Sequence, residues 1–410
     1  MHTLTAAFTA FASIGITSAA SNERVLVSTS FIVTVTAPQR LSSDVPLQAQ
    51  LSISAPADAV LQNSAAAFAQ ALYPPSGVSE ALANGSTIEA PLGGYQYIPV
   101  GAVTTGVTGK DAESSAWLQG SSGCNNAIVS SNNYFASSDA DRASFKNAYT
   151  IWDLINVATI HNSSIPADNL LTEETLSRSF DLASTLEWNL AYNASDPVRA
   201  ISGAVLAGQI LDSLQSIVDG TAGSPKFNVQ FGLYGAFMAF FGLAKMQDVS
   251  SDFQGVTGYA SSMAFEIFTT SADAKPSSDD IQVRFLYSNG TASASNLKQF
   301  AFLGKDNQSW SDFKSGMSKF AITSTEQWCK ECGGTSEKCA GISTNEDTNS
   351  APNSPGDGNG ISKPVAGVIG ALVTLAVILG IQTLIIVFGG VRLVKKTKVT
   401  PMEGNSTKAI

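Results

Sequence analysis

The alternation of apolar and polar positions is most informative between residues 226 and 268. Phe227–Phe231 is short, β-prone and preceded by turn-forming residues, which predicts a strand. Gly232 then marks a sharp turn into Leu233–Leu243, a segment that is apolar all round and therefore predicts a helix packed on a sheet. Tyr259–Phe268 predicts a returning strand. In an α/β fold, the loop between such a strand and its helix lies at the carboxyl end of the sheet, where ligands usually bind.

Patterns elsewhere predict a first strand, further strands and a group of amphipathic helices. The β-branched segment Arg24–Val35 predicts the first strand, and Ser54–Pro75 predicts a helix. Ser76–Tyr134 is rich in Gly, Ser, Thr and Asn, which predicts loops that cover the sheet. We expect helices at Asp139–Ile160, from Asp196-Pro197 to Gly220 and at Trp310–Phe320. A further helix should begin after Thr172, which can cap it, with Glu173 and Glu174 in its first turn. Two more strands are expected at Ile281–Tyr287 and Leu297–Phe302.

Two uncharged segments predict entry into the secretory pathway and a membrane anchor. Residues 1–20 are apolar, end in small residues and predict a signal peptide. Residues 365–391 carry no charge, and as a helix they would extend roughly 40 Å at about 1.5 Å per residue, enough to cross a bilayer. Basic residues follow at once in residues 392–410, so the positive-inside rule makes this segment a cytoplasmic tail, whereas a glycolipid-anchor signal would end in its apolar stretch. We therefore expect a single-pass type I protein with an ectodomain at 21–340 and a flexible stalk at 341–364.

The overall composition is that of a folded, acidic protein. The chain has 410 residues, 44% of them hydrophobic and 14% charged, which is enough apolar material for a large globular region. Its formal net charge of −10 argues against nucleic acid and against an anionic membrane surface as partners.

Cysteines and glycosylation sequons fall between the two apolar segments, on the predicted lumenal side. Disulfide bonds are the expected use of the cysteines, and three connectivities remain open. A zinc site built on Cys329-x2-Cys332 is the alternative. The cysteines are Cys124, Cys329, Cys332 and Cys339, and the sequons are at Asn84, Asn162, Asn193, Asn289 and Asn307. A further sequon at Asn405 falls in the predicted cytoplasmic tail and is expected to stay unmodified.

The central stretch also carries a resemblance to a known family. Phe240-Phe241-Gly242-Leu243, followed by Tyr259-Ala260-Ser261 and by Glu266, is similar to the last third of histidine acid phosphatases, and the chain as a whole resembles fungal membrane-anchored members. The resemblance implies the histidine phosphatase superfamily with its phosphoglycerate-mutase-like fold: a central mixed sheet flanked by helices, with an α-helical subdomain. In that family the strand-to-helix turn carries a His-Asp pair. Here Gln230 and Phe231 stand at the matching positions.

Two further family motifs are also unmatched. In that family the first strand ends in Arg-His-Gly, the motif whose histidine is phosphorylated. Here the strand continues directly into Thr36–Arg40. Either the protein has lost this motif, or an exon that encodes it was skipped when the gene was predicted. A later Asp-Arg motif supplies another phosphate ligand, and Ala59, or Val60 with a one-residue shift, stands where that Arg should be. No Lys or Arg occurs from Leu41 to Gly109, although a phosphate dianion needs cationic donors.

Histidine chemistry is scarce in this chain. His2 falls in the predicted signal peptide, which leaves His161 at the end of a predicted helix, where a surface or capping role is expected.

The leading hypothesis is a histidine-acid-phosphatase-like membrane glycoprotein that is catalytically inactive or impaired, without cofactor or metal, and that binds a phosphate-ester ligand or a protein partner at the former cleft. The alternatives are an active acid phosphatase that hydrolyses phosphate monoesters and a structural cell-surface glycoprotein. The expected location is the cell surface or an endomembrane.

Overall fold

The computed structural model describes residues 24–31, 45–57, 59–77, 79–103, 123–135, 144–161, 171–273, 276–290, 297–334, 339 and 342. The chain divides into two compact units, Met1–Asn345 and Glu346–Ile410, and every described residue lies in the first. The predicted signal peptide, transmembrane segment and tail therefore lie outside the described residues, as do Asn162, Asn405 and the predicted stalk apart from Ile342. These assignments stay predictions.

The described chain combines strands, helices and short helical turns. The strands are β1 (Arg24–Phe31), β2 (Leu51–Pro56), β3 (Ser79–Ala81), β4 (Thr87–Glu89), β5 (Val100–Val103), β6 (Phe227–Gln230), β7 (Ser262–Thr269), β8 (Ile281–Ser288), β9 (Lys298–Phe300) and β10 (Asn307–Ser309). The helices are α1 (Ala59–Leu72), α2 (Asn125–Phe135), α3 (Ala148–His161), α4 (Glu173–Ala191), α5 (Ile201–Val218), α6 (Tyr234–Leu243), α7 (Trp310–Met317) and α8 (Thr325–Glu331). Short helical turns lie at Gln48–Gln50, Pro91–Gly94, Phe145–Asn147, Pro197–Ala200, Met246–Asp248, Ser251–Phe253 and Ser278–Asp280.

The main sheet is mixed, with strand order β10-β8-β7-β1-β6-β2-β5 and β9 paired to β8. Strands β1, β6, β2 and β5 run parallel, whereas β7, β8, β9 and β10 join in antiparallel pairs. Strands β3 and β4 form a separate hairpin. This arrangement confirms the predicted mixed sheet flanked by helices.

One face of the sheet is covered by α1. Phe227, Val229 and Phe231 alternate along and just beyond β6, and all three pack with Phe68 of α1 and Ile53 of β2. The rings of Phe68 and Phe231 lie 5.9 Å apart. Because side chains alternate across a strand, the intervening residues of β6 face the other side of the sheet.

The other face carries the larger core, between the sheet and helices α5, α6 and α7. Phe240 of α6 stacks on Phe302 at 5.9 Å and meets Phe265 of β7 edge to face at 6.0 Å. Helices α5 and α6 approach so closely that a Cβ on Gly203 would lie 2.3 Å from the backbone nitrogen of Phe240. Glycine is therefore the residue that permits this helix contact, and any side chain there would separate the helices.

One described helical stretch, Pro197–Val218, is long and apolar enough to cross a membrane, and half of it is buried within the protein. It includes α5, whose Leu206, Ile210 and Leu214 belong to the larger core. Packing against α6 therefore accounts for its apolar composition.

Helix starts follow the sequence signals at one site and depart from them at another. Thr172 accepts a hydrogen bond from the backbone nitrogen of Thr175, which confirms the predicted cap of α4. Asp196 was expected to cap the next helix, but its carboxylate accepts a hydrogen bond from Ser130 of α2, and the side chain makes no cap bond. Arg199 joins the same group, donating from Nε to Ser130 Oγ over 2.9 Å. This polar group fixes α2 against the chain that enters α5.

The cysteines form two disulfide bonds. Cys124 pairs with Cys332 and Cys329 pairs with Cys339, so the first bond joins the start of α2 to the end of α8. All four thiols are consumed, which makes the zinc alternative at Cys329-x2-Cys332 wrong.

Two predictions about the amino-terminal half are also wrong. The helix predicted over Ser54–Pro75 begins only at Ala59, because residues 51–56 form β2 with strand neighbours on both sides. The segment Ser76–Tyr134, predicted as loops, contains β3, β4, β5 and most of α2. The three strands are only three or four residues long, so local periodicity does not reveal the neighbours that stabilise them. The predicted extension of β1 beyond Phe31 lies outside the described residues.

Candidate functional site

The carboxyl ends of the parallel strands meet at one edge of the sheet. Gln230, the last residue of β6, pairs with Phe31 of β1 on one side and with Ser54 of β2 on the other. Because β7 runs antiparallel to β1, its first residues reach the same edge, where Ser262 pairs with Ser288 at the end of β8. The turns after β6, before β7 and after β8 therefore share this edge with the start of α1, and it is the candidate site.

Ala59 and Val60 are at this edge, where α1 begins. Neither side chain offers a polar group, and Val60 is 71% exposed. The turn between β2 and α1 is fixed by Gln62, whose Nε2 donates to the carbonyl oxygens of Ala55 and Pro56, both over 2.9 Å. The place where the resemblance implies a phosphate-binding arginine is thus an apolar helix start.

Gln230 faces the side of the sheet that carries α5 and α6. Its neighbour in alternation, Asn228, donates from Nδ2 to Ser213 Oγ of α5 over 2.9 Å, which fixes the direction of both side chains. Gln230 is 9% exposed, and its Oε1 has no hydrogen-bond partner among the described residues. A buried amide oxygen without a donor costs about 1–3 kcal/mol, so this atom is a ready acceptor for a ligand.

Phe231 follows Gln230 directly but belongs to the opposite face. Its backbone nitrogen donates to Ser54 O over 2.9 Å, and its side chain is 2% exposed beneath α1. The structure therefore separates the two predicted positions: Gln230 faces the α5 and α6 side, and Phe231 is part of the core.

Five further side chains lie beside this edge, on α3, α4, the start of α6 and the turn before β7. We call them the tyrosine–carboxylate cluster. The rings of Tyr149 and Tyr234 lie 5.2 Å apart, and the Tyr259 hydroxyl donates to Asp153 Oδ1 over 3.2 Å. Glu187 of α4 completes the cluster, because it and Tyr234 lie close enough to influence each other's ionisation.

Burial controls the titration of this cluster. It raises the pKa of Glu187, and the hydrogen bond with Tyr234 opposes that rise in part. Burial, followed by the nearby Glu187 charge, also raises the pKa of Tyr234. The pKa of Tyr259 rises through burial and through the charge of Asp153. The three groups therefore resist gaining negative charge.

A set of hydrogen bonds holds the turn that carries Tyr259. Asn289 Oδ1 accepts from the backbone nitrogen of Gly258 over 2.9 Å, and Ser261 Oγ donates to Gly258 O over 2.7 Å. Gly290 N in turn donates to Ser261 Oγ over 2.8 Å. The predicted glycosylation site Asn289 thus lies at the candidate edge and supports its geometry.

The other described sequons lie away from this turn. Asn84 is in the exposed turn between β3 and β4, and its Oδ1 accepts from Ser86 Oγ over 2.7 Å. Asn193 accepts from the backbone of Ser195 over 2.9 Å, and Asn307 is exposed on β10. Glycosylation of these residues remains a prediction.

Two described arginines make other contacts. Arg199 binds Ser130 and the carbonyl oxygen of Asn189, the latter over 2.7 Å. Arg284 donates to Glu266 over 2.6 Å within the sheet. No group of three or more metal-ligating side chains occurs in the part of the chain that the structure describes.

His161 is the last residue of α3. It follows Asp153 by eight positions, which corresponds to roughly 12 Å along a helix. Its backbone therefore lies two turns beyond the part of α3 that contributes to the cluster.

A local signal for the cluster does exist on α3. Tyr149, Trp152 and Asp153 are spaced three and four residues apart and so share one helix side. The sequence pattern predicts a strand that includes Tyr259, whereas β7 starts only at Ser262. The positive φ of Ala260 keeps this segment in a turn.

No protein-family model and no curated protein matches the sequence. Among solved structures, the chain is similar to the phytase from Citrobacter braakii, with 9% identity and a TM-score of 0.46 over 76% of this chain and 99% of that one. The Hafnia alvei phytase in complex with tartrate gives 9% identity and a TM-score of 0.45 over 74% and 98%. The Klebsiella sp. ASR1 phytase gives 7% and 0.45 over 74% and 96%. At TM-scores below 0.5 these likenesses assign neither family nor activity.

Proposed function

We propose that this chain is a histidine-acid-phosphatase-like membrane glycoprotein that binds a ligand at the carboxyl edge of its sheet without hydrolysing phosphate esters. The proposal combines the sequence resemblance with the chemistry of the edge. It treats the edge as a binding surface from which the groups for phosphoryl transfer are missing.

The observation that carries the proposal is the identity of the residues at the turn after β6. Covalent phosphoryl transfer of the family type needs a histidine nucleophile and a proton donor at this turn. Gln230 offers an amide that does not titrate, and the Phe231 side chain is buried on the opposite face of the sheet. Neither residue can transfer a proton to a leaving group.

The scarcity of positive charge near the start of α1 supports the same conclusion. A phosphate group removed from water needs charge-assisted donors, usually a bidentate arginine. Ala59 and Val60 provide none, and the sequence has no Lys or Arg from Leu41 to Gly109. Arg199 donates to Ser130 and Arg284 donates to Glu266, and both contacts join elements of the fold.

Location in the secretory pathway is part of the proposal. Two disulfide bonds favour an oxidising compartment. Residues 365–391 carry no charge and are followed by basic residues, which is typical of a single membrane-spanning segment with a cytoplasmic tail. Sequons at Asn84, Asn193, Asn289 and Asn307 favour a glycosylated lumenal region.

Hydrolysis of p-nitrophenyl phosphate at acid pH tests the central point, with the purified full-length glycoprotein in detergent. We expect no turnover above the rate of buffer with detergent alone. His161→Ala is the matched variant, because His161 is the histidine that remains after removal of the predicted signal peptide.

Turnover of any kind contradicts the proposal. Turnover that disappears in His161→Ala would assign the chemistry to His161. Turnover that persists in the variant would require a nucleophile elsewhere in the chain, and in either case the chain would be an active phosphatase.

A further inference from the structure

We propose that an N-linked glycan on Asn289 covers the ring of Tyr259 and thereby shields the candidate edge on the side of β7 and β8. This inference rests on the proposed function, because it requires passage through the secretory pathway and concerns the same edge. Its consequence is a restriction on access, since a bulky glycan at an edge leaves room for a small ligand and obstructs a second protein.

The two ends of the Asn289 amide have different surroundings. Oδ1 accepts a hydrogen bond from the backbone nitrogen of Gly258 over 2.9 Å and lies 3.2 Å from Ser261 Oγ. Nδ2 has no hydrogen-bond partner among the described residues, it is not one of their buried atoms, and the side chain is partly exposed. A glycan is attached at the amide nitrogen and leaves the carbonyl oxygen as an acceptor. Attachment is therefore compatible with the contacts that hold this turn.

The hydrogen bond of Asn289 also differs from those of two other described sequons. At Asn84 and Asn193, Oδ1 accepts from the backbone nitrogen two positions further along, so each amide holds only its own turn. Asn289 instead joins the turn after β8 to the turn before β7, 31 positions earlier in the chain. A glycan on Asn289 therefore begins where two turns of the candidate edge meet.

Tyr259 is the exposed aromatic residue beside this attachment point. It follows Gly258 directly, so the two Cα atoms lie about 3.8 Å apart, and the tyrosine is 63% exposed. Gly258 and Gly290 pack so closely that a Cβ on Gly258 would lie 3.2 Å from the Cα of Gly290. Neither glycine has a side chain that could separate the Asn289 amide from the Tyr259 ring.

The ring of Tyr259 is already oriented before any sugar contacts it. Its hydroxyl donates to Asp153 Oδ1 over 3.2 Å. One face of an N-acetylglucosamine ring carries carbon-bound hydrogens, and packing that face on an aromatic ring removes apolar surface of both from water. Because hydrogen bonds orient both the Asn289 amide and the Tyr259 ring, this contact requires little further ordering of the protein.

Hydroxyl-radical oxidation of the full-length glycoprotein in detergent, read by peptide mass spectrometry, tests the shielding. The protein is produced in a eukaryotic secretory host, and the mass of the Asn289 glycopeptide gives its occupancy. Tyr97 is the internal reference, because it is 65% exposed against 63% for Tyr259. We expect the ratio of Tyr259 to Tyr97 oxidation to be lowered about twofold by the glycan, since a sugar stacked on the ring covers one of its two faces.

Substitutions at Thr291 remove or keep the sequon without changing Asn289. Thr291→Ala removes it and should raise the oxidation ratio about twofold, whereas Thr291→Ser keeps it and should leave the ratio unchanged. Ser86→Ala removes the sequon of Asn84 and should also leave the ratio unchanged. Enzymatic removal of the glycans from the folded wild-type protein is a second route, which should raise the ratio as Thr291→Ala does.

The outcomes separate this inference from the proposed function. An unmodified Asn289 in a protein whose other sequons carry glycans would overturn the inference and leave the secretory location in place. An oxidation ratio that stays the same after loss of the Asn289 glycan would also overturn it. Absence of glycans at every sequon would overturn it together with the secretory part of the proposed function, whereas phosphate hydrolysis would overturn the proposed function alone.

Discussion

Glu266 of β7 and Arg284 of β8 lie directly opposite each other in the sheet, with Arg284 Nε 2.6 Å from Glu266 Oε2. The Glu266 side chain is fully buried and that of Arg284 is 10% exposed. The arginine also lies over the Phe268 ring, 4.8 Å from its centre. The pair therefore fixes the register of two buried strands.

Breaking this pair should be costly. Glu266→Gln leaves the arginine charge buried without its counter-charge, and we expect the free energy of unfolding to fall by about 3–5 kcal/mol. Denaturant unfolding measures the loss. The control is Asp312→Asn, which breaks the exposed pair with Lys305 and should lower the free energy of unfolding far less. Equal losses in the two variants would contradict a special role for the buried pair.

Gln230 and Phe231 should respond to substitution in opposite directions. Gln230→Met replaces an unsatisfied buried amide with an apolar group of similar size, so we expect a gain of about 1 kcal/mol in unfolding free energy. Phe231→Ala empties a position in the cluster beneath α1 and should cost about 3–5 kcal/mol. Thermal and denaturant unfolding of both variants give the comparison. A destabilised Gln230→Met protein would show that the amide has a partner in solution.

The raised pKa of Glu187 predicts a defined pH dependence of stability. In the folded protein its pKa lies above the ordinary value of 4.5, so between the two values the folded state binds more protons than the unfolded state. The free energy of unfolding should therefore fall as pH rises through this window. Glu187→Gln should remove the part of this pH dependence that is due to Glu187 and should stabilise the protein at neutral pH. Unfolding measured at a series of pH values from acid to neutral tests this.

Glu80→Gln is the matched control for this prediction, because Glu80 is exposed on the short strand β3. It should leave the pH profile of unfolding unchanged. A Glu187→Gln profile that superimposes on the wild-type profile would contradict the role assigned to burial of this carboxyl group.

The two disulfide bonds should differ in their effect on stability. The Cys124–Cys332 bond closes a separation of 208 residues, and the Cys329–Cys339 bond closes 10. Chain-entropy reasoning gives a loss of about 5 kcal/mol for the paired Ser substitutions of the first bond and about 3 kcal/mol for those of the second. Paired substitutions avoid free thiols. Unfolding measurements that reverse the order would show that native-state strain outweighs chain entropy.

Glycan occupancy tests the predicted membrane topology. Asn84 lies in an exposed turn on the predicted lumenal side, and Asn405 lies in the predicted cytoplasmic tail. In a eukaryotic secretory host, Asn84→Gln should lower the glycosylated mass of the protein, whereas Asn405→Gln should leave it unchanged. Mass measurement before and after enzymatic deglycosylation gives the result. A mass loss in Asn405→Gln would reverse the predicted orientation of the chain.

The sequence by itself determined those features that depend on near neighbours along the chain. The turn from β6 into α6 follows from an apolar segment after Gly232, and the α4 start follows from Thr172 and its own backbone. The identities of Gln230 and Phe231 already removed the expected chemistry from that turn. Each of these features is local, so periodicity and capping signals are sufficient to predict it.

The tertiary structure decided which distant segments pair and pack with one another. It made residues 51–56 a strand with two partners, selected one of three disulfide connectivities, and brought Tyr259 to Asp153 across 106 positions. It also decided what covers each face of β6, with α5 and α6 on the side of Gln230 and α1 over Phe231. The physical reason is that pairing and burial depend on which surfaces meet, and the local pattern of a segment reports its own amphipathicity without identifying its partner.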